Sequence, residues 1–210
     1  MKNKICISIL VIFSFGKSFS QEFSVDDLLS EIPQPQQVSL LPEKMLFSQR
    51  LLWGEKGLYR RVGIAPKQLT PETREMELKV RRTFFRIHQI TGFLAAGGML
   101  AQGIIGSRLY KGDFQAQNLH RYVALATNIE YGTTALMAFT APPPMINRKK
   151  FDNIKLHKAL AVVHLSGMVA TNVLGNQASE GNVNKQWHRA AALTTFGAYT
   201  AAIVSVKLEF

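Results

Sequence analysis

Apolar and polar positions alternate along this chain in long blocks. Four windows are free of Asp, Glu, Lys and Arg or nearly so: Ile87 to Ser107, Tyr122 to Asn147 with Glu130 as the one break, Ala159 to Ser179, and a shorter one from Ala190 to Val206. A helix needs about 20 apolar residues to cross a bilayer. The windows therefore predict an all-α fold, a four-helix transmembrane bundle in up-down-up-down order, over residues 81–210. Pro142-Pro143-Pro144 must end the second helix, because three consecutive prolines remove three amide donors. Thr70-Pro71-Glu72 reads as a capped start, from which a charged helix runs through Arg74, Lys79, Arg81 and Arg82 into the first window.

The N-terminal third is different. Lys2 and Lys4, an apolar run from Ile5 to Phe15, and Ser18 and Ser20 predict a secretory signal peptide over 1–20, with an uncleaved anchor as the alternative. Residues 21–80 are polar and amphipathic, a short extramembrane region placed in the periplasm. A helix start lies at Ser24, and a proline-rich linker covers 32–37. Met45-Leu46-Phe47 and Leu51-Leu52-Trp53, ringed by Arg50, Lys56, Arg60 and Arg61, read either as an interfacial helix lying on a membrane or as a segment packed against the bundle end. Together these place the protein in the cell inner membrane as a multi-pass protein with its N-terminal region exported.

Charge narrows the partners. The formal net charge is +11, but Lys and Arg mostly flank the apolar windows, which points to lipid headgroups and away from nucleic acid. The single cysteine, Cys6, lies in the signal segment, so the mature chain offers no disulfide, iron–sulfur ligand or zinc thiolate. Phosphate loops, nucleophile elbows and metal-spaced His/Glu clusters are also missing from the sequence.

Histidine supplies the candidate chemistry. Four of the five histidines, His88, His120, His157 and His188, stand one at the start of each window. Alternate helices of an up-down bundle start on the same side. His88 would face His157 at one end, and His120 would face His188 at the other, a layout suited to two bis-histidine haems. Small residues at Gly92, Ala95, Ala124, Ala161, Ala191 and Ala192 follow the histidines on their own helix faces, where they would leave room for a flat macrocycle. Without Cys-x-x-Cys-His, any haem is non-covalent haem b. His164, two turns past His157, reads as an accessory group and not as a ligand. Glu130, an acid near mid-helix, reads as a protonated group hydrogen-bonded to a neighbouring helix, or else as a proton acceptor coupled to haem reduction. No internal repeat is evident beyond the recurring histidine-plus-helix unit.

Ile87-His88-Gln89, Leu119-His120-Arg121, Lys155-Leu156-His157-Lys158 and Gln186-Trp187-His188, in that order over residues 84–207, resemble the histidine motifs of the cytochrome b561 family. The resemblance implies one haem b held by His88 and His157, a second held by His120 and His188, and electron transfer across the membrane as a transmembrane oxidoreductase. Gln89 stands where the family has proline and Lys158 where it has serine, and the two further helices of its larger members are missing. The ascorbate donor of those members therefore does not carry over. The partners would be membrane lipid, an electron donor and an acceptor that the sequence does not name, a periplasmic redox partner, and a second copy in a homodimer. The competing reading is a non-enzymatic four-helix membrane anchor with at most one haem. An exported N-terminus puts His88 and His157 outside, whereas the distribution of Lys and Arg favours the reverse; the signal segment decides for the first.

Overall fold

A computed structural model of the chain describes residues 39–145 and 150–206. The expected signal peptide, the helix start at Ser24 and the 32–37 linker lie outside these residues. Among the described residues every regular element is helical. Two short helices, α1 (Phe47–Trp53) and α2 (Leu58–Arg61), precede four long ones: α3 (Pro71–Tyr110), α4 (Gln117–Thr140), α5 (Asn153–Ser179) and α6 (Lys185–Ser205).

Local chemistry sets the ends. At the start of α3 the Thr70 hydroxyl accepts from the Thr73 amide, and the Thr73 hydroxyl accepts from the Thr70 amide; Pro71 sits at the first helical position. Asp152 and Asn184 cap α5 and α6 in the same way. After α3 and α5 the chain turns at Gly112 and Gly181, whose φ angles of 99° and 79° lie in the left-handed region that glycine enters without steric cost. The three prolines stop α4 at Thr140.

The long helices pack as two antiparallel hairpins. In the first, His88, Gly98 and Gly106 of α3 meet Thr134, Thr127 and His120 of α4. In the second, His157, Gly167 and Gly175 of α5 meet Ala202, Thr195 and His188 of α6. The hairpins join where the Tyr199 hydroxyl donates to the Gly92 carbonyl at 3.0 Å and where the Asn128 and Asn172 amides pair at 2.8 and 3.0 Å. Ala95, Met99, Tyr131 and Tyr199 form the core between them.

Residues 39–70 close one end of this assembly. Trp53 is buried and donates from Nε1 to the Thr140 carbonyl at 2.8 Å. Arg60 and Arg74, 3% and 1% exposed, flank Glu77, with ion pairs of 2.6 and 2.8 Å. Their remaining donors reach the carbonyls of Leu40, Trp53, Gly54, Pro66 and Pro143. Trp53 of this stretch packs against the bundle end, while Leu46, Phe47 and Leu51 stay exposed. Arg60, expected at the rim of an amphipathic patch, is instead an interior group.

Two helices, α3 and α5, are long and apolar enough to cross a membrane. The four crossings expected from the windows are therefore met by two. Of the other two helices, α4 carries Asn128 and Glu130 in its middle, and α6 has 21 residues and begins with Lys185, His188 and Arg189.

Candidate functional site

The tertiary structure brings the four histidines into two pairs. The ring centres of His88 and His157 are 6.2 Å apart with planes at 76°, and those of His120 and His188 are 6.3 Å apart at 86°. The pairs lie toward opposite ends of the hairpins. His120, His157 and His188 stand in the first turns of their helices. His88 does not: α3 begins far upstream at Pro71, so His88 is an interior helical residue at the start of an apolar window only.

Three of the four rings are held from behind by a carbonyl. Nδ1 of His88 donates to the Thr134 carbonyl at 2.8 Å, that of His157 to Ala202 at 2.8 Å, and that of His188 to Thr171 at 2.9 Å. A carbonyl only accepts, so Nδ1 carries the proton and Nε2 keeps its lone pair for a ligand. Buried Nδ1 of His120 has no hydrogen-bond partner among the described residues; its ring lies against Gly106, and Gln102 Nε2 donates to its backbone carbonyl at 2.8 Å. Both rings of this pair rest on a glycine. A Cβ at Gly106 would lie 3.0 Å from His120 Cε1, and one at Gly175 would lie 3.0 Å from His188 Cε1.

The other singled-out residues fall elsewhere. His164 is between the pairs, with Nδ1 hydrogen-bonded to the Tyr131 hydroxyl at 2.8 Å. Glu130 is half-buried at the rim of an apolar groove of about 380 Å³ lined by Leu94, Tyr122 and Val123. Its carboxylate makes no hydrogen bond among the described residues; the polar link between helices near it is Asn128–Asn172, which corrects the expectation of a bonded glutamate. Gly92 and Ala95 do not open space beside His88. Gly92 faces Tyr199 and Thr134, and Ala95 is fully buried in the core. Ala124, Ala161, Ala191 and Ala192 are half-buried.

Laying the hairpins over each other also corrects the reading of internal repeats. His-x9-Gly-Met-x-Ala-x4-Gly-x5-Gly runs from His88 to Gly112 and again from His157 to Gly181. His-Arg-x-x-Ala-Leu-x-Thr-x-x-x-Tyr runs from His120 to Tyr131 and again from His188 to Tyr199. The glycines and threonines at shared positions have shared roles. A Cβ at Gly98 would overlap Thr127 Oγ1, and one at Gly167 would overlap Thr195 Oγ1. Both threonines are buried and donate back to the carbonyl four residues earlier. Sequence reading by apolar windows missed Tyr131, Tyr199, Thr127 and Thr195. Aligning each histidine helix with the next but one would have found them.

Each pair takes one histidine from each hairpin, so each site is shared by the two repeats. Among the described residues no three His, Cys, Asp or Glu side chains converge. Two imidazoles alone suit a metal that brings its remaining ligands with it. Comparison with models of known families, with curated proteins and with solved structures finds no match.

Proposed function

We propose that the chain is a membrane-spanning electron-transfer protein in which α3–α6 form a four-helix bundle holding two haems b. His88 and His157 would ligate one haem, and His120 and His188 the other. The observation that carries this reading is the separation within the pairs. With a metal–nitrogen bond of about 2 Å on each side and roughly 1 Å from Nε2 to the ring centre, two imidazoles on opposite sides of one metal have centres about 6 Å apart. The two pairs, at 6.2 and 6.3 Å, fit that geometry independently. Anchoring of Nδ1 by carbonyls at His88, His157 and His188 supports it, because metal-bound histidines almost always donate their other N–H in this way. Haem would supply one-electron chemistry, and an iron with both axial positions taken by imidazole is suited to passing electrons rather than to binding oxygen.

The membrane part of the reading rests on outward apolar surface. Leu94, Leu100, Ile104, Leu125, Ile129 and Leu193 are each more than half exposed, far more than a water-facing monomer usually shows. At the end of the bundle near His120, Tyr110 lies beneath Lys185 and Arg189, and Trp187 is exposed, the residue types that favour a bilayer interface. The likeness of the histidine motifs to the cytochrome b561 family points the same way.

Pyridine haemochrome analysis of protein purified after expression with ample haem is the test. Two haems b per chain are expected. Protein that folds but binds no haem overturns the reading in favour of a membrane anchor.

A further inference from the structure

The repeat isolates one residue that it does not explain. His164 occupies on α5 the position that Ala95 occupies on α3. Tyr131 and Tyr199, by contrast, are counterparts of each other, and their ring centres are 5.7 Å apart. A residue that touches its own counterpart lies at the axis relating the repeats, as do the members of each histidine pair. His164 joins the two tyrosines there. Its ring centre is 4.9 Å from that of Tyr199 and 5.8 Å from that of Tyr131, with a hydrogen bond between Nδ1 and the Tyr131 hydroxyl. Along α5 it stands seven residues after His157 and seven before Thr171, whose carbonyl holds His188. That is about 10 Å of helix on either side. The three rings therefore fill the centre of the bundle midway between the sites.

We propose that Tyr131, His164 and Tyr199 form the bridge across which electrons pass between the two haem sites, and that His164 is its positioning residue. This rests on the haem reading above. Transfer between two fixed centres is faster through packed, hydrogen-bonded atoms than across a gap. An alanine at 164, as α3 has at 95, would leave a void between the sites and release the Tyr131 hydroxyl. With haem bound at both sites, the transfer would take one electron from one haem, oxidising it, to the other, reducing it, with Tyr131, His164 and Tyr199 supplying the packed path between them. No proton moves, and no bond within the cluster is made or broken.

The experiment uses the full chain in lipid nanodiscs, partly reduced by a light pulse, with equilibration between the haems followed spectrally. Compared with the parent protein, His164→Ala equilibrates several-fold more slowly, with two haems bound and unchanged low-spin signals. Tyr131→Phe, which removes only the hydroxyl, gives a smaller slowing of the same kind, as does His164→Phe, which keeps the volume filled. A readout without haem is the ¹⁵N spectrum of His164, which shifts in Tyr131→Phe because Nδ1 loses its partner. Unchanged equilibration in all three variants with both haems in place overturns the bridge and leaves the haem reading standing. A parent protein without haem overturns that reading and the bridge together.

Discussion

His88 and His157 face each other across the two hairpins with their ring planes 76° apart, each ring fixed by a carbonyl of the helix paired with its own. Because both orientations are set by the backbone, they persist when a metal binds between them. If haem iron is held by these pairs as proposed, near-perpendicular imidazoles would leave its d orbitals almost degenerate. Oxidised protein is expected to show highly anisotropic low-spin EPR signals from both sites, since His120 and His188 are at 86°. A rhombic signal of the kind given by parallel rings would contradict this arrangement. His88→Ala and His157→Ala should each remove the same one of the two signals.

The glycines behind His120 and His188 are the most selective point of attack. Gly106→Ala and Gly175→Ala each set a methyl 3.0 Å from an imidazole Cε1 that is already packed. The ring must tilt away, and displaced ligand support typically lowers metal affinity by about 10- to 100-fold. Haem titration of either variant should show one weakened site and one normal site. Equal weakening of both would mean that the damage is global.

Gly98 and Thr127 test the packing of a hairpin apart from its cofactor. A methyl at Gly98 overlaps the Thr127 hydroxyl, and overpacking of this kind costs about 1–3 kcal/mol. Thermal unfolding of Gly98→Ala should show that loss, and the double variant with Thr127→Ala should recover part of it. The counterpart pair, Gly167 and Thr195, should give a loss of similar size.

Glu77 holds two buried guanidinium groups, Arg60 and Arg74. Glu77→Ala leaves both without their counter-ion, a change that typically costs about 3–5 kcal/mol. Limited proteolysis should then cut within 39–70, while the α5–α6 hairpin stays protected. Unaltered protease resistance would show that the carbonyl partners alone retain this segment.

Orientation has its own measurement. With an exported N-terminus, the four crossings proposed would return the chain to the outside. A phosphatase reporter fused after Phe210 should be active and a cytoplasm-dependent fluorescent reporter dark. The reverse result would place His88 and His157 on the inner side, as the distribution of Lys and Arg favours.

What the sequence determined by itself is the local part. Thr70 with Pro71, and the prolines after Thr140, set the ends of helices through amides and hydroxyls a few residues apart. The apolar windows located the four long helices, and their order alone was enough to match His88 with His157 and His120 with His188. The tertiary structure decided what depends on contact across helices. It placed His88 inside a longer helix, turned Arg60 inward, and set Tyr199 against Gly92. It also showed why glycine recurs at 98, 106, 167 and 175: each lies against a threonine or histidine of the facing helix. Window averages record how apolar a stretch is, whereas these contacts depend on which helix face meets which neighbour. The repeat itself is written in the sequence, whereas the contacts its glycines and threonines make were decided by how the helices face each other.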